Sequence, residues 1–137
     1  MSQENVEIVR RIYAAVERGD RAAVLELYDP AVEMVWAGSP FGQFLKHTVY
    51  HGHDGLRAFI RERAEDWPDW EDRLEEVVAV GDQVVSLVGS RGLARGSGIE
   101  MARTHAALWS FRDARVVRFV WFDSREDAIA AADAGAG

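Results

Sequence analysis

The strongest constraint on this chain is a change of hydrophobic period near Pro68. Upstream, apolar residues mostly recur at three- and four-residue steps, the repeat of helices laid on a core. Downstream they alternate, the repeat of strands with one buried face. Within 5–18, Val6, Val9, Ile12, Tyr13 and Val16 form one helical stripe, which Gly19 ends. Asp20 is placed to cap a second helix, 21–28, with Val24, Leu25, Leu27 and Tyr28 on its apolar side and Pro30 as its stop. Segment 31–36 is β-branched and aromatic and reads as a strand, followed by a loop over 38–50 containing Gly-Ser-Pro-Phe-Gly. A third helix shows Leu56, Phe59, Ile60, Ala64 and Trp67 on one face, with His53 or Asp54 as its cap and Pro68 just past its end.

Beyond Pro68 the alternation of Val77, Val80, Val84, Val85, Leu87 and Val88 around Gly81-Asp82 predicts long antiparallel strands over 71–80, 83–95, 99–112 and 115–122. Gly96-Ser97-Gly98 and Arg112-Asp113-Ala114-Arg115 supply the other turns. Ser124-Arg125-Glu126-Asp127 approximates a capping box before a short helix ending near Ala132, and the tail Gly135-Ala136-Gly137 is expected to fray. Helices first and hairpin-linked strands afterwards define an α+β class: a cone-shaped, curved antiparallel sheet, with three helices from the N-terminal half on its concave face. Such a twisted sheet closes poorly on short helices, so a conical cavity is expected between the layers, a default small-molecule site.

With 137 residues, one domain over 1–137 is expected, and 48% apolar residues suffice for its core. There is no cysteine, which excludes disulfides, thiolate chemistry and cysteine-ligated zinc. The polar, acidic start and the lack of a long apolar run predict a cytoplasmic protein. A net charge of −7 argues against nucleic acid and anionic membranes as partners, since both require a positive field. That leaves a small-molecule or protein partner, and the candidate walls named below point to a small apolar or aromatic molecule.

The order of elements and five stretches of sequence together resemble the nuclear transport factor 2-like superfamily, in its SnoaL-like and ketosteroid isomerase-like branch. The stretches are Glu17-Arg18-Gly19-Asp20, Tyr50-His51-Gly52-His53-Asp54-Gly55-Leu56, the run 91–98, Trp109-Ser110-Phe111-Arg112-Asp113 and Phe122-Asp123-Ser124-Arg125-Glu126. The resemblance implies the cone fold and a homodimer, to which the outward residues Ala106, Leu108 and Val120 would contribute apolar area. It leaves the chemistry open, because the superfamily holds both enzymes and binding modules. Met34 stands where steroid isomerases carry an Asp base, Ile12 (with Tyr13 adjacent) and Ala107 where they carry oxyanion donors, and Trp121 where polyketide cyclases carry a carboxylate.

The same resemblance sets the phase of strand 99–112: Arg103, His105, Ala107 and Trp109 inward, Thr104, Ala106 and Leu108 outward. His105 is then the candidate acid–base residue, or else a core imidazole bonded to a neighbour. Asp123 is an auxiliary base at the cavity mouth or a cap of the last helix, and Tyr13 an auxiliary phenol or plain core. Met34, Trp36, Phe59, Arg103, Trp109, Phe119 and Trp121 are the candidate substrate walls. His47, His51 and His53 invite a metal reading, but His51-Gly52 fits an ordinary helix start, so no metal and no organic cofactor is expected. The glycines of 89–98 fit bulges and a hairpin turn rather than a phosphate cradle. Arg91, Arg95, Arg103, Arg112, Arg115 and Arg118 read as cross-strand ion-pair partners. The function expected from these residues is a cofactor-independent isomerase, lyase or cyclase working by proton transfer. The alternative is a non-catalytic ligand-binding or dimerisation module.

Overall fold

The computed structural model describes residues 2–36, 48–93, 96, 98 and 100–136. Helix α1 spans Ser2–Arg18 and α2 spans Arg21–Leu27. They are followed by β1, Tyr28–Val35, β2, Val49–His51, and α3, Gly52–Asp66. The strand half contains β3, Glu71–Val80, β4, Gln83–Leu93, β5, Glu100–Arg112, and β6, Arg115–Phe122, before α4, Arg125–Ala136. The six strands form one curved sheet in the order β2-β1-β6-β5-β4-β3.

Alternation along the strands sorts the core into two faces. On the concave face Met34, Val84, Ala107, Trp109, Phe119 and Trp121 pack with Val9 and Ile12 of α1, Val24 of α2, and Leu56 and Phe59 of α3. On the other face Val85, Ala106 and Leu108 pack against Ala128 and Ala132 of α4. The phase of β5 is thus the expected one. Burying each of the sealed valines, Val9, Val32, Val84, Val85, Val88 and Val116, stabilises the fold by roughly 1.5–3 kcal/mol.

Four expectations change. The sheet is mixed rather than wholly antiparallel, because β1 runs parallel to β6, with Met34 opposite Phe119. Within the segment read as loop, Val49–His51 pairs with β1 as an edge strand, Tyr50 facing Met34. Tyr28 starts β1 instead of ending α2: its backbone is extended, and the proline two residues later disfavours helix in Asp29 as well. Neither His53 nor Asp54 caps α3. The helix follows His51 directly, with no side-chain cap bond, and Gly52 at φ +69° makes the sharp entry, its α-carbon so close to the Pro30 carbonyl that a β-carbon would sit 3.0 Å from that oxygen.

At the C-terminal end the last helix continues to Ala136 rather than stopping near Ala132, so Gly135 and Ala136 of the expected fraying tail are helical. Its cap is Ser124, whose Oγ accepts from the Asp127 amide at 3.1 Å. The one bulge of β3 falls between Leu74 and Glu76, in a strand without glycine, and Gly89 lies beside the bulged Glu75. Four of the six arginines pair with acids: Arg91 with Glu71, Arg103 with Asp123, Arg112 with Asp29 and Arg118 with Glu33. Arg95 lies outside the described residues. No helix among the described residues is long and apolar enough to cross a membrane.

Candidate functional site

Between the concave face and helices α1 to α3 lies a cavity with about 90 Å³ of room for the centres of water molecules. One water needs about 10–15 Å³ by that measure, so there is space for a small flat ligand. Its girdle is apolar and aromatic. Trp36 stacks on Phe59 at 5.3 Å and leans on Phe119 at 5.3 Å, and Trp109 meets Phe119 edge-on at 4.8 Å. Met34, Leu56 and Ile60 fill the gaps. Of the expected site residues, Tyr13, Met34, Trp36, Phe59, His105, Trp109 and Phe119 line this cavity.

Three others do not. Trp121 is buried behind His105, its ring stacked on the imidazole at 5.9 Å. Arg103 and Asp123 lie one step further along the strands, where solvent reaches them, and there the two charges pair at 2.7 Å with 44% and 64% of their side chains exposed. They stand at the surface, not on the cavity wall. Asp123 is not the helix cap either, since Ser124 takes that position.

The polar groups of the cavity collect at two ends. At one end, register places Asp72 of β3 directly opposite Ser90 of β4, and Val88 opposite His105 of β5, so a diagonal contact joins the three side chains. Ser90 Oγ lies 2.6 Å from Asp72 Oδ1 and 3.0 Å from His105 Nε2. The serine has one proton, and the shorter contact to a carboxylate claims it. Its oxygen is therefore placed to accept from His105 Nε2–H, and the ring also bonds the Ala106 backbone. Asp72 also accepts from Trp70 Nε1 at 2.8 Å and Arg63 at 3.2 Å, and the Arg63 guanidinium lies over the Phe59 ring. Burial pushes the His105 imidazole below its ordinary 6.5, and the Asp72 charge pulls in the opposite direction. The ring is neutral at pH 7.

At the other end, Tyr13 and Tyr28 both lean on Trp109, at 5.9 and 6.3 Å. Ser86 holds the Trp109 indole N–H at 2.8 Å and shares a hydrogen bond with Tyr13. Burial raises the pKa of both phenols, so they are protonated donors at neutral pH.

The sequence reading missed Asp72, Ser90, Arg63 and Tyr28 as site residues. The only sequence signal for the first two was their inward phase on neighbouring strands, visible once register is known. Of the loop histidines, His53 bonds the Tyr28 carbonyl at 2.8 Å and His51 lies 3.9 Å from Glu33, while His47 falls outside the described residues. No metal-binding cluster is present among the described residues.

A family model described as the SnoaL-like domain matches residues 9–119. No curated protein matches the chain. Among solved structures, an NTF2-like protein of unknown function from Burkholderia pseudomallei K96243 is 25% identical, with 93% of this chain and 95% of that one covered and a TM-score of 0.77. TerC, co-crystallised with polyporic acid, is 19% identical over 95% of this chain and 98% of its own, TM-score 0.75. A protein from Jannaschia sp. CCS1, named as a proposed SnoaL-like polyketide cyclase, is 22% identical over 97% and 94%, TM-score 0.73. These likenesses establish the cone fold.

Proposed function

The chain belongs to the SnoaL-like family, and from that premise we propose that its cavity takes a small apolar or aromatic substrate on which His105 moves a proton, as in a cofactor-independent isomerase, lyase or cyclase. The observation that carries this reading is the hydrogen-bonded series Asp72, Ser90, His105, whose two outer members stand on the wall of a largely apolar cavity. A neutral imidazole with Nε2 anchored on Ser90 is held in one orientation with its Nδ1 buried in apolar surroundings, and a ring-lined site of low polarity strengthens whatever charge develops beside it. In such a step a C–H bond next to a carbonyl breaks, the imidazole takes the proton, and the electron pair moves into the enolate. Return of the proton at the same or another carbon completes exchange or isomerisation. The names of TerC's ligand and of the Jannaschia protein point to the same broad class of substrate.

A second reading, a binding module without turnover, is favoured by one fact. Asp72, the only carboxylate lining the cavity among the described residues, already accepts from three protein donors and is committed to structure.

A flat ketone with acidic benzylic C–H groups, 2-indanone, separates the two. In heavy water the protein is expected to exchange these hydrogens for deuterium faster than buffer does, and His105→Gln to lower that rate by about 10²–10⁴. Ligand-induced change in tryptophan emission should persist in the variant, since the walls are intact. Binding without exchange by the wild-type protein would support the second reading. Exchange unchanged in the variant would remove His105 from the role.

A further inference from the structure

We infer that Tyr28 is the residue through which this cavity reads its ligand, donating its phenolic hydroxyl to an oxygen acceptor, so that the ligand class is a compact aromatic or alicyclic carbonyl compound. The inference deepens the small-molecule reading of the cavity and rests on it.

Two facts single out this hydroxyl. Tyr28 is 3% exposed and its ring lines the cavity. Yet no hydrogen bond reaches its hydroxyl from the described residues, whereas the neighbouring Tyr13 is bonded to Ser86. Nor is it among the sealed polar atoms of the interior, unlike the indole nitrogens of Trp36 and Trp121 and Nδ1 of His105. It therefore opens on the cavity. A buried polar group without a protein partner costs about 1–3 kcal/mol unless water or a ligand satisfies it, and among the described residues Tyr28 faces the cavity, from which such a partner can come.

The surroundings define the ligand further. Tyr28 packs on Trp109 with its phenol in reach of the Arg63 and Asp72 charges, His105 bonds Ser90, and the rings of Trp36 and Phe119 run between Trp109 and His105. A ligand that fills the cavity needs a flat apolar body, an oxygen acceptor at one end and no obligatory charge. Burial keeps the phenol protonated throughout the physiological range, so donation does not depend on pH.

The test compares 2-indanone with indane, the same ring system without the oxygen, binding to wild-type protein and to Tyr28→Phe. The substitution keeps the ring and its contact with Trp109, and thermal melting checks the fold. The expected result is a loss of about 3- to 10-fold in 2-indanone affinity, the span of one neutral hydrogen bond, with indane affinity unchanged. Equal affinity of both proteins for 2-indanone, or an equal loss for both ligands, would overturn the inference, as would a wild-type protein that binds no 2-indanone. Tyr28-dependent discrimination without deuterium exchange would uphold the donor and sink proton transfer. Exchange without that discrimination would do the reverse.

Discussion

A histidine kept neutral by burial makes stability depend on pH in a definable window. Above the ordinary imidazole value of 6.5 neither the folded nor the unfolded chain carries this proton, and His105 contributes nothing. As the pH falls through 6.5 the unfolded chain binds a proton that the folded chain refuses until its own lower pKa is reached. Folding weakens over that interval. Melting temperature measured from about pH 7.5 to pH 5.5 should therefore fall more steeply for the wild-type protein than for His105→Gln, which cannot titrate. Parallel curves would mean that the folded imidazole protonates normally. Ser90 offers a second residue-scale test. Ser90→Ala leaves His105 Nε2–H and one Asp72 lone pair without their shared partner, at a cost of about 1–3 kcal/mol in chemical denaturation. It should also release the tautomer, visible in the imidazole nitrogen shifts. An unchanged tautomer would show that something other than Ser90 fixes it. His105 was legible because the family resemblance supplied the phase of its strand, whereas its partners were not. Asp72, Ser90 and His105 are each 15 or more positions from the next, and only strand register brings them together.

At the scale of elements, the strand half was readable almost to the residue. β3 and β6 have the expected bounds, because each begins and ends at a turn with its own chemical signature. The N-terminal half was harder for a physical reason. β2 has three residues, too few to show a period, and its pairing with β1 is decided by contacts across the sheet. The parallel neighbour relation of β1 and β6 leaves no local trace either, since nothing in either strand encodes which distant strand lies beside it. The β5–β6 turn yields the element-scale prediction. Asp113 and Ala114 both have positive φ, 51° and 61°, the mark of a type I′ hairpin, but alanine is a poor occupant of that region. Ala114→Gly is expected to raise stability by about 0.5–1 kcal/mol, the relief of left-handed strain less the added freedom of the unfolded chain. A lower melting temperature in that variant would show that the alanine carries no strain there.

For the whole molecule, the outer face of the sheet decides how copies behave towards one another. The sequence reading left Ala106, Leu108 and Val120 open on that face, as apolar area for a homodimer. In the fold α4 lies over Ala106 and Leu108, and they are 0% and 7% exposed together with Val85 at 1%. That ground for a dimer is therefore covered at Ala106 and Leu108, while Val120 stays half-buried outside this cluster, and a pair of copies meeting on the covered patch would have to displace α4 or build it into the interface. The helix itself was foreseen from its cap; its extra turn was not, because Gly135 reads locally as a breaker although the helix continues through it. Its role as a cover predicts what its loss would do. A chain ending at Ser124 keeps all six strands and the concave core with its cavity, but bares three neighbouring apolar side chains of the central strands. Contiguous apolar surface on a sheet face drives association, so light scattering should show the shortened protein growing in mass with concentration in the micromolar range while the full chain holds a constant mass. Binding of 2-indanone should survive, because the cavity lies on the opposite face and takes no residue from α4. If the shortened chain instead scatters as the full one does and melts at the same temperature, α4 is not the cover of this face. The apolar argument for pairing of copies would then apply to Ala106 and Leu108 after all.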